Sequence, residues 1–175
     1  LFKDLGAARI VPGGQTNNPS TEELYAAIEA TNTDKIILMP NNKNIILACE
    51  AARDLALDKT VVVVPTRTVP QGISAMLALD PSGEIEQVAD AMNQMAAEVA
   101  TVQITTATRS VELNGVAVAE GNIIGLVDGR IVAAGQNIMA VLKESLARVE
   151  EIEEREIVSL FYGADTTLDE SEKTA

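Results

Sequence analysis

The stretch KIILMPNNKNIILACEAARDLALDKTVVVVPTRTVPQG (35–72) decides the fold class. KIILM (35–39) and TVVVV (60–64) are short, unbroken apolar runs, the second β-branched throughout. Between them the apolar period lengthens to that of a helix over roughly 43–57. A strand that is apolar at every position is covered on both faces, which belongs to a parallel sheet sandwiched by helices. The crossover between such strands is right-handed.

Working outward, the same unit recurs. AARIV (7–11) reads as a further strand, and STEELYAAIEA (20–30) as a helix opened by Ser20 or Thr21. Glu23 stands three residues after Ser20, the spacing of a capping box. A helix near 70–79 follows the third strand. The expectation is an α/β lobe over 1–82, with a parallel sheet of three or more strands and helices on both faces. Phe2–Leu5 with Gly6 reads as the last turn of a helix and its C-terminal glycine, as expected of a piece of a longer protein.

Beyond Pro81-Ser82-Gly83 the pattern changes. An amphipathic helix over 84–98 leads into VQITTATRSVEL (102–113), one long alternating strand. Asn114-Gly115 and Asp128-Gly129 are hairpin turns, the second joining NIIGLV to RIVAAG. Asn137 caps a helix to about Arg148, EIVSLFYG (156–163) reads as a last strand, and Leu168–Ala175 as the start of an acidic helix. Residues 83–175 are thus expected to form an α+β lobe with antiparallel hairpins, its final helix truncated. The run EEIEERE (150–156) is expected to be a solvated helix end.

Composition narrows the function. Of 175 residues 47% are apolar and only 2% aromatic, so small aliphatic side chains fill the core. A net charge of −13 repels phosphate backbones and anionic lipid, which argues against nucleic acid and membrane-surface partners. No apolar run reaches the roughly 18 residues of a membrane span, and LFKDLGAARI does not read as a signal peptide. There is no histidine, which removes the usual general base and most zinc sites. Cys49, the single cysteine, falls on a helical apolar stripe and reads as core. A reducing cytoplasm is the expected location.

Polar chemistry collects after the strands. The loops PGGQTNNPST, PNNKN and PTRTVPQG should share one sheet edge, where open α/β sheets bind ligands. They offer Gln15, Thr16, Asn17, Asn41, Asn42, Lys43, Asn44, Thr66, Arg67, Thr68 and Gln71, beside the free N–H groups of helix starts. Such a set suits an anionic or hydrogen-bonding ligand, or a polar protein interface. The same residue types also populate turns and caps for backbone reasons alone. No phosphate loop, dinucleotide fingerprint or catalytic carboxylate pair accompanies them.

At GGQTNNPST, NNKNI and VVPTRTVPQG, and on through NGVAVAEGNIIGLVDGRIVAAG to LFYGADTT, the sequence resembles the C-terminal region of bacterial fatty acid kinase catalytic subunits. These are the DAK-domain, YloV-type, dihydroxyacetone-kinase-like proteins. The resemblance implies that ATP and magnesium bind in an N-terminal domain of the parent protein, with no cofactor or metal in this fragment. It implies a non-catalytic piece that docks the separate DegV-family fatty-acid-binding partner, and it allows a homodimer formed through the parent protein. The order of parallel lobe, DGRIVAAG hairpin, helix and LFYGADTTLDE also resembles the DegV-type proteins themselves, which hold a lipid carboxylate with Ser and Thr after the second strand. Here that loop reads NNKN. Two functions therefore stand open: a partner-docking domain, and a small-molecule module for fatty acid or an anion. An elongated apolar cavity at Ile73, Met76, Leu77 and Ile104 would mark the second.

Overall fold

A computed structural model describes residues 1–13, 17–113 and 115–163. Helix α1 (Thr21–Glu29) starts where the capping box places it: the Glu23 N–H donates to the Ser20 hydroxyl at 3.2 Å, and the Ser20 N–H donates to the Glu23 carboxylate at 2.8 Å. Strand β1 (Lys35–Leu38), helix α2 (Ile46–Leu55) and strand β2 (Thr60–Val63) follow, and β2 lies parallel to β1 with Ile36 opposite Val61. Helices α3 (Val69–Leu77) and α4 (Ile85–Ala97) complete this part.

The two-residue period of the strands divides the side chains between two cores. Ile36, Leu38, Val61 and Val63 join Leu24, Ile28, Cys49 and Ala52 of α1 and α2. Ile37, Met39, Val62 and Val64 join Ala75, Met76, Val88 and Met92 of α3 and α4. This is why both runs are apolar at nearly every position. Because α4 packs with α3 in the second core, the core does not divide at residue 82, where the sequence suggests a lobe boundary.

The rest is antiparallel. Strands β3 (Val102–Thr106), β6 (Ile123–Val127) and β7 (Arg130–Gly135) form one sheet in the order β3-β6-β7, and β4 (Val111–Leu113) pairs with β5 (Val116–Val118). Asp128 and Gly129 turn β6 into β7 with φ of 48° and 81°, both left-handed, as a tight two-residue hairpin requires. Helix α5 (Ile138–Leu146) is capped by Asn137, whose side chain accepts from the Ala140 N–H at 2.9 Å, and packs on this sheet.

Three expectations need correcting. Among the described residues the parallel sheet has two strands, not three or more: residues 7–11 are irregular. Their side chains are drawn to different cores, Ala7 to the second and Val11 to the first, while Arg9 donates to the Ala30 carbonyl at 2.9 Å. The long strand over 102–113 is two. Ala107 ends the first, its N–H on the Asn122 carbonyl and its carbonyl on the Gly121 N–H, and the chain bends into the β4–β5 hairpin. EIVSLFYG forms no strand; an apolar run becomes a strand only beside a ladder partner, and Ile157 and Leu160 stay 83% and 66% exposed. The acidic helix expected over 168–175 lies outside the described residues.

Cys49 is buried and free, and burial pushes its thiol up from the ordinary 9.0 to about 11. The folded chain therefore holds this proton where the unfolded chain gives it up. Stability should be unaffected below about pH 9 and fall as pH rises toward 11. Thiol labelling at neutral pH should track unfolding; fast labelling of native protein would show that the thiol is accessible.

Candidate functional site

The three polar loops are tied to one another. Asn41, left-handed at φ 54°, donates its N–H to the Thr66 hydroxyl at 3.1 Å, and that hydroxyl donates to Asn41 Oδ1 at 2.8 Å. Thr66 is 1% exposed, so this reciprocal pair rivets the loop after β1 to the loop after β2. The Asn41 amide lies over Gly72 of α3, where a Cβ would stand 2.0 Å from Oδ1. The Asn42 side chain donates to Asn18 Oδ1 at 3.5 Å, which reaches the third loop, and accepts from the Asn44 N–H at 3.0 Å.

The Arg67 loop is held separately. Arg67 N–H donates to Gln71 Oε1 at 2.8 Å, Gln71 N–H donates to the Thr68 hydroxyl at 3.3 Å, and Thr68 caps α3. The Thr68 hydroxyl also meets that of Thr101 at 2.9 Å. Thr101 is gripped in turn by Asp128, whose carboxylate accepts its N–H at 2.9 Å. These bonds bring the tip of the β6–β7 hairpin to the carboxyl edge of the parallel strands. Lys43 spans the remaining distance, with Nζ 3.9 Å from where a Cβ on Gly129 would be.

The sequence-selected residues thus sort by what they touch. Asn41, Thr66, Thr68 and Gln71 turn their side-chain oxygens to the scaffold. Asn17, Lys43, Asn44 and Arg67 are exposed, and Asn42 is half-buried. Among the described residues the Lys43 and Arg67 side chains have no hydrogen-bond or ion-pair partner. Gln15 and Thr16 lie outside the described residues. Sequence reasoning missed Gly72, Thr101 and Asp128; Asp128 reads as a turn residue, and nothing local signals that its carboxylate holds Thr101.

Chemically, the edge can offer two cations and several amides to an anionic or polar surface. Among the described residues no three His, Cys, Asp or Glu side chains group to hold a metal. No helix among them is long and apolar enough to cross a membrane. If Thr66 is the rivet, Thr66→Val should destabilise by about 2 kcal/mol, because it strands the Asn41 donor and acceptor, while Thr66→Ser should stay near wild type. Urea titration of the three proteins checks this; equal stability of the valine variant would mean that water replaces the hydroxyl.

Residues 1–175 match the FakA-like C-terminal family of fatty acid kinase subunits, and the chain belongs to that family. It is 37% identical over 175 residues to Protein YloV of Bacillus subtilis, covering 99% of this chain and 31% of that protein. A Staphylococcus epidermidis protein is 36% identical over 165 residues, 94% of this chain and 30% of its own length. A Staphylococcus aureus protein is 36% identical over 169 residues, again 94% and 30%. The chain thus spans about a third of the length of the curated relatives it matches.

Proposed function

We propose that this chain is a non-catalytic docking domain of a fatty-acid-kinase-type protein, acting in the cytoplasm. Its polar edge receives a separate fatty-acid-binding partner of the DegV family. ATP and magnesium belong to the parent's N-terminal domain, where the acyl carboxylate on the partner is phosphorylated. The observation that carries the reading is the pair Lys43 and Arg67. They stand on anchored loops, without partners among the described residues, on a chain of net charge −13. Unpaired cations fixed on one edge of an acidic domain are placed for a carboxylate-bearing surface and give a steered encounter. The family supports a place within a larger kinase protein. The reading includes a scaffold shared with DegV-type proteins, in which NNKN stands where a lipid-binding loop would carry Ser or Thr.

The test is calorimetric titration of the chain with lipid-loaded DegV-family proteins of the same organism, beside an assay for ATP turnover. Saturable binding of at least one such protein, with no ATP turnover by the chain alone, is the expected result. Absence of binding to any of them at about 100 μM, or ATP-dependent acyl phosphate formation by the repurified chain alone, overturns the reading.

A further inference from the structure

Beside β1, on the side away from β2, lies a cavity of about 690 Å³. Residues 6–13 form its far wall and β1 its near wall; Ile28 borders it from the first core and Met92 from the second. The cavity therefore passes through the plane of the sheet. Ladder bonds show which backbone groups face it. The Asp34 carbonyl accepts from Thr60 N–H and the Leu38 carbonyl from Val64 N–H, so the even-numbered residues of β1 bond to β2. The alternation of a parallel ladder turns the N–H and C=O of Ile37 the other way. No strand pairs with that edge among the described residues. One wall thus presents backbone donors and acceptors, with apolar side chains above and below, which is the environment of a strand buried on both faces.

Handedness indicates what fills it. The connection from β1 to β2 runs through α2 on the face of the first core, and the connection from residues 7–11 to β1 runs through α1 on that same face. Both step across the sheet in one direction. Phe2 and Leu5 instead pack on the opposite face, against the second core. A strand that reaches residues 7–11 through Phe2–Leu5 makes a right-handed crossover only if it lies between residues 7–11 and β1. That position is the cavity.

We propose that an extended apolar strand of the parent polypeptide, leading into Phe2, fills this slot parallel to β1. The relatives, about three times as long as the matched region, have polypeptide to supply it. The sheet order becomes inserted strand between residues 7–11 and β1, then β2. Crossovers reverse between the inserted strand and β1, so the point at which such sheets bind ligands falls beside Gly13, Asn41 and Asn42. The turn after the inserted strand then borders the docking edge. The slot itself does not depend on the docking reading.

Amide hydrogen exchange on residues 1–175 and on the full parent polypeptide tests this. The Ile37 N–H should exchange at least ~100-fold more slowly in the parent, while the Ile36 and Leu38 amides, bonded to β2, are protected in both. Equal Ile37 rates in the two proteins overturn the proposal. So does protection in residues 1–175 that grows with protein concentration, which assigns the slot to a second copy, or a lipid retained by the parent in native mass spectrometry whose removal abolishes the protection. Exchange reads strand pairing whether or not a DegV-family protein binds.

Discussion

A Gly125→Ala chain should unfold with about 2–4 kcal/mol less free energy than the parent sequence, the larger part from overpacking and the rest from a displaced buried hydroxyl. Gly125 lies in β6 where α5 crosses the sheet. A Cβ there would stand 1.8 Å from Ser145 Oγ and 3.1 Å from both Ser145 Cβ and Val141 Cγ1. Rotation of the serine alone does not relieve this, because its Cβ is also too close. Ser145 is fully buried, and its hydroxyl donates to the Val141 carbonyl at 2.7 Å within the helix. Either α5 lifts from the sheet or the hydroxyl loses its acceptor. Removing the obstructing oxygen should return part of the loss: Gly125→Ala with Ser145→Ala should be more stable than the two single effects sum to, by at least ~1 kcal/mol. Urea titration of the four proteins of this cycle measures it. Additive losses would mean that the helix and the sheet are not in this contact.

This close approach marks the boundary of what could be read in advance. Local chemistry was legible. Ser20 and Glu23 announce their capping box three residues apart, and Asp128-Gly129 announces a turn that only left-handed residues can make. The helices over 20–30, 84–98 and 137–148 were recognisable from period and caps, each within a few residues of α1, α4 and α5. A strand, however, is a property of a pair. AARIV, EIVSLFYG and KIILM look alike as apolar runs, yet only KIILM has a neighbour with which to exchange hydrogen bonds. The gap beside β1 is the structural counterpart of that ambiguity: residues 7–11 lie where a strand would, separated from β1 by the width of the cavity.

The candidate site shows the same division. That the loops after β1 and β2 share an edge follows from parallel strand direction, which periodicity gives; the loop holding Asn18 follows an irregular segment and joins them through Asn42. Which amides bind outward and which hold the scaffold does not follow, since Asn41 and Asn42 are adjacent and chemically identical. Both are held by the scaffold, through different tertiary neighbours: the Thr66 hydroxyl and the bare Gly72 fix Asn41, and Asn18 and the Asn44 N–H fix Asn42. Of the four residues at which an apolar cavity would mark a lipid carrier, Met76 borders the cavity beside β1, Ile73 and Ile104 do not line it, and Leu77 is 67% exposed.

Reversing both free cations, Lys43→Glu with Arg67→Glu, should cut affinity for the partner by about 100-fold or more, since each lost charge-assisted contact is worth roughly 1.5–3 kcal/mol. Both side chains are exposed and have no partner among the described residues. The fold should therefore hold, with stability within about 0.5 kcal/mol per site. Arg67→Ala alone should weaken binding about tenfold or more by losing a fork that can meet a carboxylate at two points. Salt offers an independent reading: binding by the parent sequence should weaken as ionic strength rises, and binding by the double variant should respond much less. Net charge must be separated from local charge on a chain this acidic. Arg53→Glu supplies the control, for it changes the total charge as Arg67→Glu does but lies on α2, where Arg53 pairs with Asp54 at 2.8 Å. If Arg53→Glu weakens the partner as much as Arg67→Glu, the effect belongs to overall repulsion and the docking edge is misplaced. If Arg67→Ala melts early yet binds normally, Arg67 serves its own loop. The expected pattern is the reverse of both: an unchanged melt, normal binding by the α2 variant, and a loss confined to the two cations at the strand ends.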